Sequence, residues 1–261
     1  MRDRETIRIA GIELEVFDSG GPAAGTPILY LHAGRGFDPQ RPYVRLLAER
    51  HRLIAPSHPG FGRSSLPDWL DAVDDIAYVY LELVERLGLA RVGLVGASIG
   101  GWIAAEIATK APAWLDRLVL VAPVGVKLGP PDRLDIPDIF AMPQEQLHRL
   151  LHHDPEAMRE EPSQMSDEAL RIMVRNREAL ALLTWEPWMH NPKLRHRLYR
   201  VRVPTLFLRG ASDGLVSADY VGGYARIVPE ARVETITAAG HLPQLEQPAS
   251  FASTVLSFLA A

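Results

Sequence analysis

The stretch Leu94-Val-Gly-Ala-Ser-Ile-Gly-Gly-Trp102 decides how the chain is read. Four apolar or small residues lead into Ser98, and an apolar helical pattern follows directly. Gly96-Ala97-Ser98-Ile99-Gly100 therefore fits G-x-S-x-G at a strand-to-helix turn. The glycines have a steric reason. At so sharp a turn, Cβ atoms two positions either side of the serine would strike the neighbouring strand and helix. The alternative for the pentapeptide alone is a plain turn whose serine caps the helix.

The flanking sequence decides between the two readings. Continuous apolar runs at 27–32, 51–60, 90–98, 115–123, 203–212 and 231–240 read as strands buried on both faces. Helical spacing separates several of them, over 41–50, 72–88 and 99–112, and a closing helix follows at 248–261. Residues 6–17 alternate around Gly11 and predict a half-exposed hairpin at a sheet edge. The expected fold class is α/β, a mostly parallel central sheet with helices on both faces. Residues 124–200 lack a strand pattern, carry many prolines and charges, and include the helical stretch 167–183. They read as an inserted helical cap, so that 1–123 and 201–261 form two parts of one core.

A serine hydroxyl needs a base within hydrogen-bond reach, and the base needs an orienting carboxylate. Asp213 follows the fifth core run and His241 the sixth. Functional groups of parallel sheets gather at the carboxyl ends of the strands. Ser98, Asp213 and His241 should therefore emerge along one edge, in the chain order serine, acid, histidine. His148, His152, His153, His190 and His196 fall in the insertion and read as solvated or local hydrogen-bonders. His51 precedes a strand.

These segments resemble the α/β-hydrolase superfamily of serine hydrolases with a helical cap, over nearly the whole chain. The likeness is carried by LHAGRGF (31–37), SHPGFGRSS (57–65), GASIGG (96–101), GASDGLV (210–216) and AGHLPQLEQP (239–248). It implies Ser98 as nucleophile, His241 as base and Asp213 as its acid. It also implies an oxyanion hole from the Gly34 and Ile99 amides, with His32 orienting that loop. Two positions depart from the family pattern. Arg35 stands where a proline is usual, and either binds a substrate carboxylate or, the better reading, faces solvent or pairs with a cap carboxylate. Ser57 stands where an aspartate is usual. Trp102, Trp185 and Trp188 are candidates to line the site, against the commoner packing role.

The implied activity is cleavage of an ester, thioester, lactone or related acyl bond of a small to medium organic molecule. A serine at the elbow excludes the dehalogenases and epoxide hydrolases of this fold, which use aspartate there. Carbon–carbon hydrolases of vinylogous diketones, cofactor-independent oxygenases and non-catalytic ligand receptors share the fold and stay open. No cofactor or metal is implied.

Composition bounds the partners. The 261 residues carry a formal net charge of −4 and no cysteine, which excludes disulfides, thiolate metal sites and a cysteine nucleophile. The charge offers no footprint for nucleic acid. No apolar run reaches the ~18–20 residues of a membrane span, and the charged N-terminus has no leader-like apolar stretch. A cytoplasmic protein acting on a small molecule is expected, with a homodimer possible through an apolar cap surface.

Overall fold

The computed structural model describes residues 4–21 and 25–261. Residues 1–3 and 22–24 of the first core segment lie outside it.

Eight strands form one sheet: β1 (Glu5–Ile9), β2 (Ile12–Asp18), β3 (Ile28–Leu31), β4 (Leu53–Pro56), β5 (Val92–Ala97), β6 (Leu115–Val121), β7 (Thr205–Gly210) and β8 (Arg232–Ile236). Their order is β1-β2-β4-β3-β5-β6-β7-β8. β2 runs antiparallel to β1 and β4, and all pairs from β4 to β8 are parallel. The helices are α1 (Pro42–Ala48), α2 (Val73–Arg86), α3 (Ile99–Thr109), α4 (Gln144–Leu151), α5 (Asp167–Thr184), α6 (Ala218–Ala225), α7 (Pro243–Glu246) and α8 (Pro248–Ala260).

The apolar runs have side chains on both faces because both faces are covered. Leu29, Leu31, Leu94, Leu118, Leu120 and Phe207 pack with α2, α3 and α6. Their neighbours Ile28, Tyr30, Val95, Val119, Val121 and Leu206 pack with α1 and α8. This period-two division turns an unbroken hydrophobic sequence into a buried strand.

Three elements differ from expectation. β2 is an interior strand, buried at all but Glu13, because it pairs with β4 as well as β1; only β1 forms the exposed edge. β8 is exposed at four of its five residues, since it closes the other edge. α6 carries Gly222 and Gly223 in mid-helix, which weakens its sequence signal. Between β6 and β7 the described chain forms α4, α5 and short 3₁₀ turns, with one isolated bridge from Gly125 to His190.

Candidate active site

The turn from β5 into α3 places Ser98 at φ 54°, ψ −114°, in the left-handed half of backbone space. For a residue with a side chain that conformation costs of order 1–3 kcal/mol. The turn is held by the Ser98 N–H, which donates to Val121 O at 2.9 Å, and by Ser98 O, which accepts from Trp102 N at 3.1 Å. A Cβ on Gly96 would overlap the Gly100 carbonyl, and one on Gly100 would overlap the Leu31 carbonyl. Both glycines are thus required by backbone contacts that cannot move aside.

Asp213 and His241 follow β7 and β8 at the same edge of the sheet. The two loops are laced together: Ser212 N donates to Ala239 O at 2.9 Å and Ala211 N to Ile236 O at 2.8 Å. Asp213 is buried. Its Oδ1 accepts from the amides of Leu215 at 2.9 Å and Val216 at 2.8 Å. Its Oδ2 accepts from His241 Nδ1–H at 3.0 Å. With Nδ1 carrying the proton, Nε2 of neutral His241 is a lone-pair acceptor. That nitrogen is buried and has no hydrogen-bond partner among the described residues, so no hydrogen bond joins it to Ser98 Oγ. The structure joins acid to histidine and presents the serine at the same sheet edge.

A segment that the sequence did not mark completes this edge. The end of α4 and the residues that follow it run across both loops. Leu150 O accepts from Gly214 N at 3.0 Å, and Leu151 O accepts from His241 N at 2.7 Å. The Glu246 carboxylate clasps the other side. Its Oε2 accepts from Gly240 N at 2.6 Å, and its Oε1 from His153 N at 2.7 Å and Asp154 N at 3.2 Å. His153 Nδ1 also hydrogen-bonds Ser212 Oγ at 2.8 Å. Residues 150–154 and Glu246 therefore fix the acid and histidine loops to one another.

The loop after β3 carries Gly34. Neither the Gly34 nor the Ile99 amide donates to an acceptor among the described residues, and Ile99 is at the first helical position, where N–H groups have no intrahelical partner. The loop is shaped by two stacked imidazoles, His32 and His58, with centroids 3.7 Å apart. His32 Nδ1–H donates to Ala33 O at 2.8 Å, and its Nε2 accepts from His58 N at 3.0 Å. His58 Nε2–H donates to His32 O at 2.9 Å, while its Nδ1 accepts from Tyr80 Oη–H at 2.6 Å. Burial pushes the His32 pKa down to about 4 and holds His58 well below the usual histidine range. Both rings are neutral near pH 7, as this bonding pattern requires. Sequence reading singled out His32 but not His58, whose signal was its place in the short turn after β4.

Ser57 has a definite role in the absence of an aspartate. Its hydroxyl donates to Glu15 Oε2 at 2.7 Å, and its amide donates to Glu15 O at 2.8 Å. Burial works against ionisation of Glu15, but the Ser57 bond and the Arg4 guanidinium outweigh it and lower its pKa. The acidic group needed at this turn comes from β2.

The remaining candidates are dispersed. Arg35 is 41% exposed and ion-paired with Glu160, which also binds Arg41 at 2.5 Å. Trp102 is buried beneath Gly125, and its Nε1–H donates to Glu106 Oε1 at 3.1 Å. Trp185 is 58% exposed and packs edge-on against Trp188. Trp188 donates to Ile136 O and borders a cavity of about 240 Å³. A larger groove of about 650 Å³ runs along α5. Neither is lined by Ser98, Asp213 or His241. Among the described residues no group of three or more His, Cys, Asp and Glu could hold a metal ion, and no helix is long and apolar enough to cross a membrane.

The alpha/beta hydrolase family profile matches residues 25–254, and the chain belongs to that family. It is similar to the 2-hydroxy-6-oxo-2,4-heptadienoate hydrolase of Pseudomonas putida, 28% identical over 266 residues that cover 96% of this chain and 94% of that protein. It is also similar to lipase 1 of Psychrobacter immobilis, 25% identical over 254 residues covering 93% and 79%. A solved bacterial membrane phospholipase A superposes with a TM-score of 0.82 at 22% identity, covering 99% of this chain and 86% of that one, which marks a shared fold.

Proposed function

We propose that the chain is a serine hydrolase that cleaves an acyl bond of a small to medium organic molecule through an acyl-enzyme. The observation that carries this reading is the buried Asp213–His241 pair, which leaves a proton-accepting Nε2 at the sheet edge that presents Ser98. His241 Nε2 takes the Ser98 proton as Oγ attacks the carbonyl. Asp213 fixes the ring tautomer and stabilises the imidazolium that forms. The Gly34 and Ile99 amides receive the oxyanion; one such donor is typically worth about 10²–10³ in rate. Protonated His241 then delivers its proton to the leaving group. Water, activated by the same nitrogen, releases the acyl group and restores Ser98.

Residues 124–200 serve in this reading as a cap that covers the site and meets the substrate. Arg35, held by Glu160, ties the oxyanion loop to that cap. Similarity to the Pseudomonas putida hydrolase supports a second reading, hydrolysis of a carbon–carbon bond in a vinylogous diketone, with the same residues polarising a ketone. Turnover of p-nitrophenyl esters of graded chain length, beside a dienol-ketone substrate, tests both. Ser98→Ala should lower the preferred reaction by about 10⁴ or more. Near-normal turnover by that variant would remove Ser98 from the mechanism.

A further inference from the structure

His152 follows α4 in the segment that spans the acid and histidine loops. Its side chain is fully buried, yet among the described residues neither ring nitrogen has a hydrogen-bond partner. Its closest carboxylate oxygen, Glu246 Oε2, is 3.9 Å from Nδ1, beyond hydrogen-bond reach. Burial first, then the charges of His148, Arg35 and His241, push its pKa down to about 4, so the ring is neutral near pH 7. A neutral imidazole offers one donor and one acceptor. Leaving such groups buried and unpaired is costly, and an apolar side chain would avoid that cost. The sequence expectation of a solvated or locally bonded histidine does not hold here.

The position of His152 indicates what its ring is for. The carbonyl immediately before it binds the His241 amide. Its Cα lies 2.8 Å from where a Gly240 Cβ would stand. The ring packs against the His148 ring of α4, with centroids 4.7 Å apart, beside the Glu246 carboxylate that holds the Gly240 amide. His152 thus lies against the loop that carries His241, with an unpaired imidazole beside it. The cations nearby are already engaged, Arg35 by Glu160 and Arg41 by Glu160 and Asp38. With Glu160 and Glu246 close as well, the surroundings suit a neutral ligand atom rather than a carboxylate.

We propose that His152 is a substrate-binding residue that hydrogen-bonds a neutral oxygen, oxo or hydroxyl, carried by the substrate close to the bond cleaved at Ser98. This rests on the hydrolase reading above and narrows its substrate class to oxygen-substituted acyl compounds.

The test uses wild type and His152→Phe on two matched pairs. p-Nitrophenyl 4-oxopentanoate against p-nitrophenyl pentanoate probes the acyl side, and 2-oxopropyl butyrate against propyl butyrate probes the leaving side. Wild type should favour the oxygenated member of one pair about tenfold or more in kcat/KM, the order expected of one hydrogen bond. His152→Phe should lower that ratio about tenfold, with a Tm equal to or above wild type because a buried unpaired group has gone. Unchanged ratios in the variant, or no preference in wild type, would overturn the proposal; so would a fall in Tm with equal losses on both members. Absence of any ester turnover would count against the hydrolase reading instead. In that event Ser98→Ala protein titrated with 4-oxopentanamide gives an independent readout. A saturable shift of the His152 ring ¹⁵N resonances, absent with pentanamide, supports the role, and no shift overturns it.

Discussion

Replacing Asp213 by asparagine separates the geometry of the site from its proton chemistry. Oδ1 is held by two backbone N–H groups, at 2.9 and 2.8 Å, so the asparagine carbonyl must take that place. The amide NH₂ then faces His241 Nδ1, where Oδ2 accepted a bond of 3.0 Å. An NH₂ group only donates. Nδ1 must give up its proton and accept, which moves the ring proton to Nε2. A protonated Nε2 cannot receive the Ser98 proton, and no imidazolium forms beside a carboxylate. The expected loss in kcat is about 10⁴, equivalent to about 5 kcal/mol of barrier. Folding should suffer far less. Both amide bonds survive, but they and the bond to His241 all change from charge-assisted to neutral, at a total cost of about 1–3 kcal/mol, or about 2–12 °C in Tm. Asp213→Ala should cost more stability, because it strands the buried Leu215 and Val216 amides at about 1–3 kcal/mol each. Steady-state ester hydrolysis, thermal melts and ¹⁵N spectra of the His241 ring read the three quantities. Turnover by Asp213→Asn within tenfold of wild type would refute the tautomer argument.

Glu246→Ala removes the acceptor for the amides of Gly240, His153 and Asp154. It should destabilise by about 3 kcal/mol, since bonds to a charged group are worth about 1.5–3 kcal/mol each and water replaces some of them. It should also lower kcat more than it raises KM, because it loosens the loop that carries His241; urea melts and steady-state kinetics check both. Glu106 is buried, and burial with the nearby Asp74 charge raises its pKa from an ordinary 4.5 to about 7. The folded state therefore holds a proton that the unfolded chain has released, and stability falls as pH rises from about 4.5 to about 7. Glu106→Gln keeps an oxygen for Trp102 Nε1 and Asn191 Nδ2 and removes the ionisation. Its stability should show a smaller fall between pH 5 and pH 8 in denaturant titrations, and a slope equal to wild type would contradict the assignment.

The core was readable because the central strands are largely apolar, and Ser98 and Asp213 each follow one of them. β8 shows the limit of that rule. Its Arg232-Val-Glu-Thr-Ile236 sequence is mostly polar, as an exposed edge is, although its place in the run of core strands suggests burial. α6 was lost behind its paired glycines. What ties the site together was least legible of all. Leu150 and Leu151 act through main-chain carbonyls, so no side-chain type announces them. Glu246 and Glu15 act across sequence separations of 93 and 42 residues, and only the folded chain brings them to their partners. Arg35 illustrates a charge whose partner, Glu160, lies 125 residues away, which left two readings open until the fold placed them together.

In the proposed mechanism Ser98 Oγ becomes covalently bonded during turnover. Treating the protein with a fluorophosphonate and analysing it by intact-mass and peptide mass spectrometry tests this directly. One equivalent of adduct on the peptide containing Ser98, formed in step with loss of activity and absent in Ser98→Ala and strongly slowed in His241→Ala, is the expected result. An active protein that hydrolyses its ester while Ser98 stays unlabelled, or labels equally fast without His241, would contradict it.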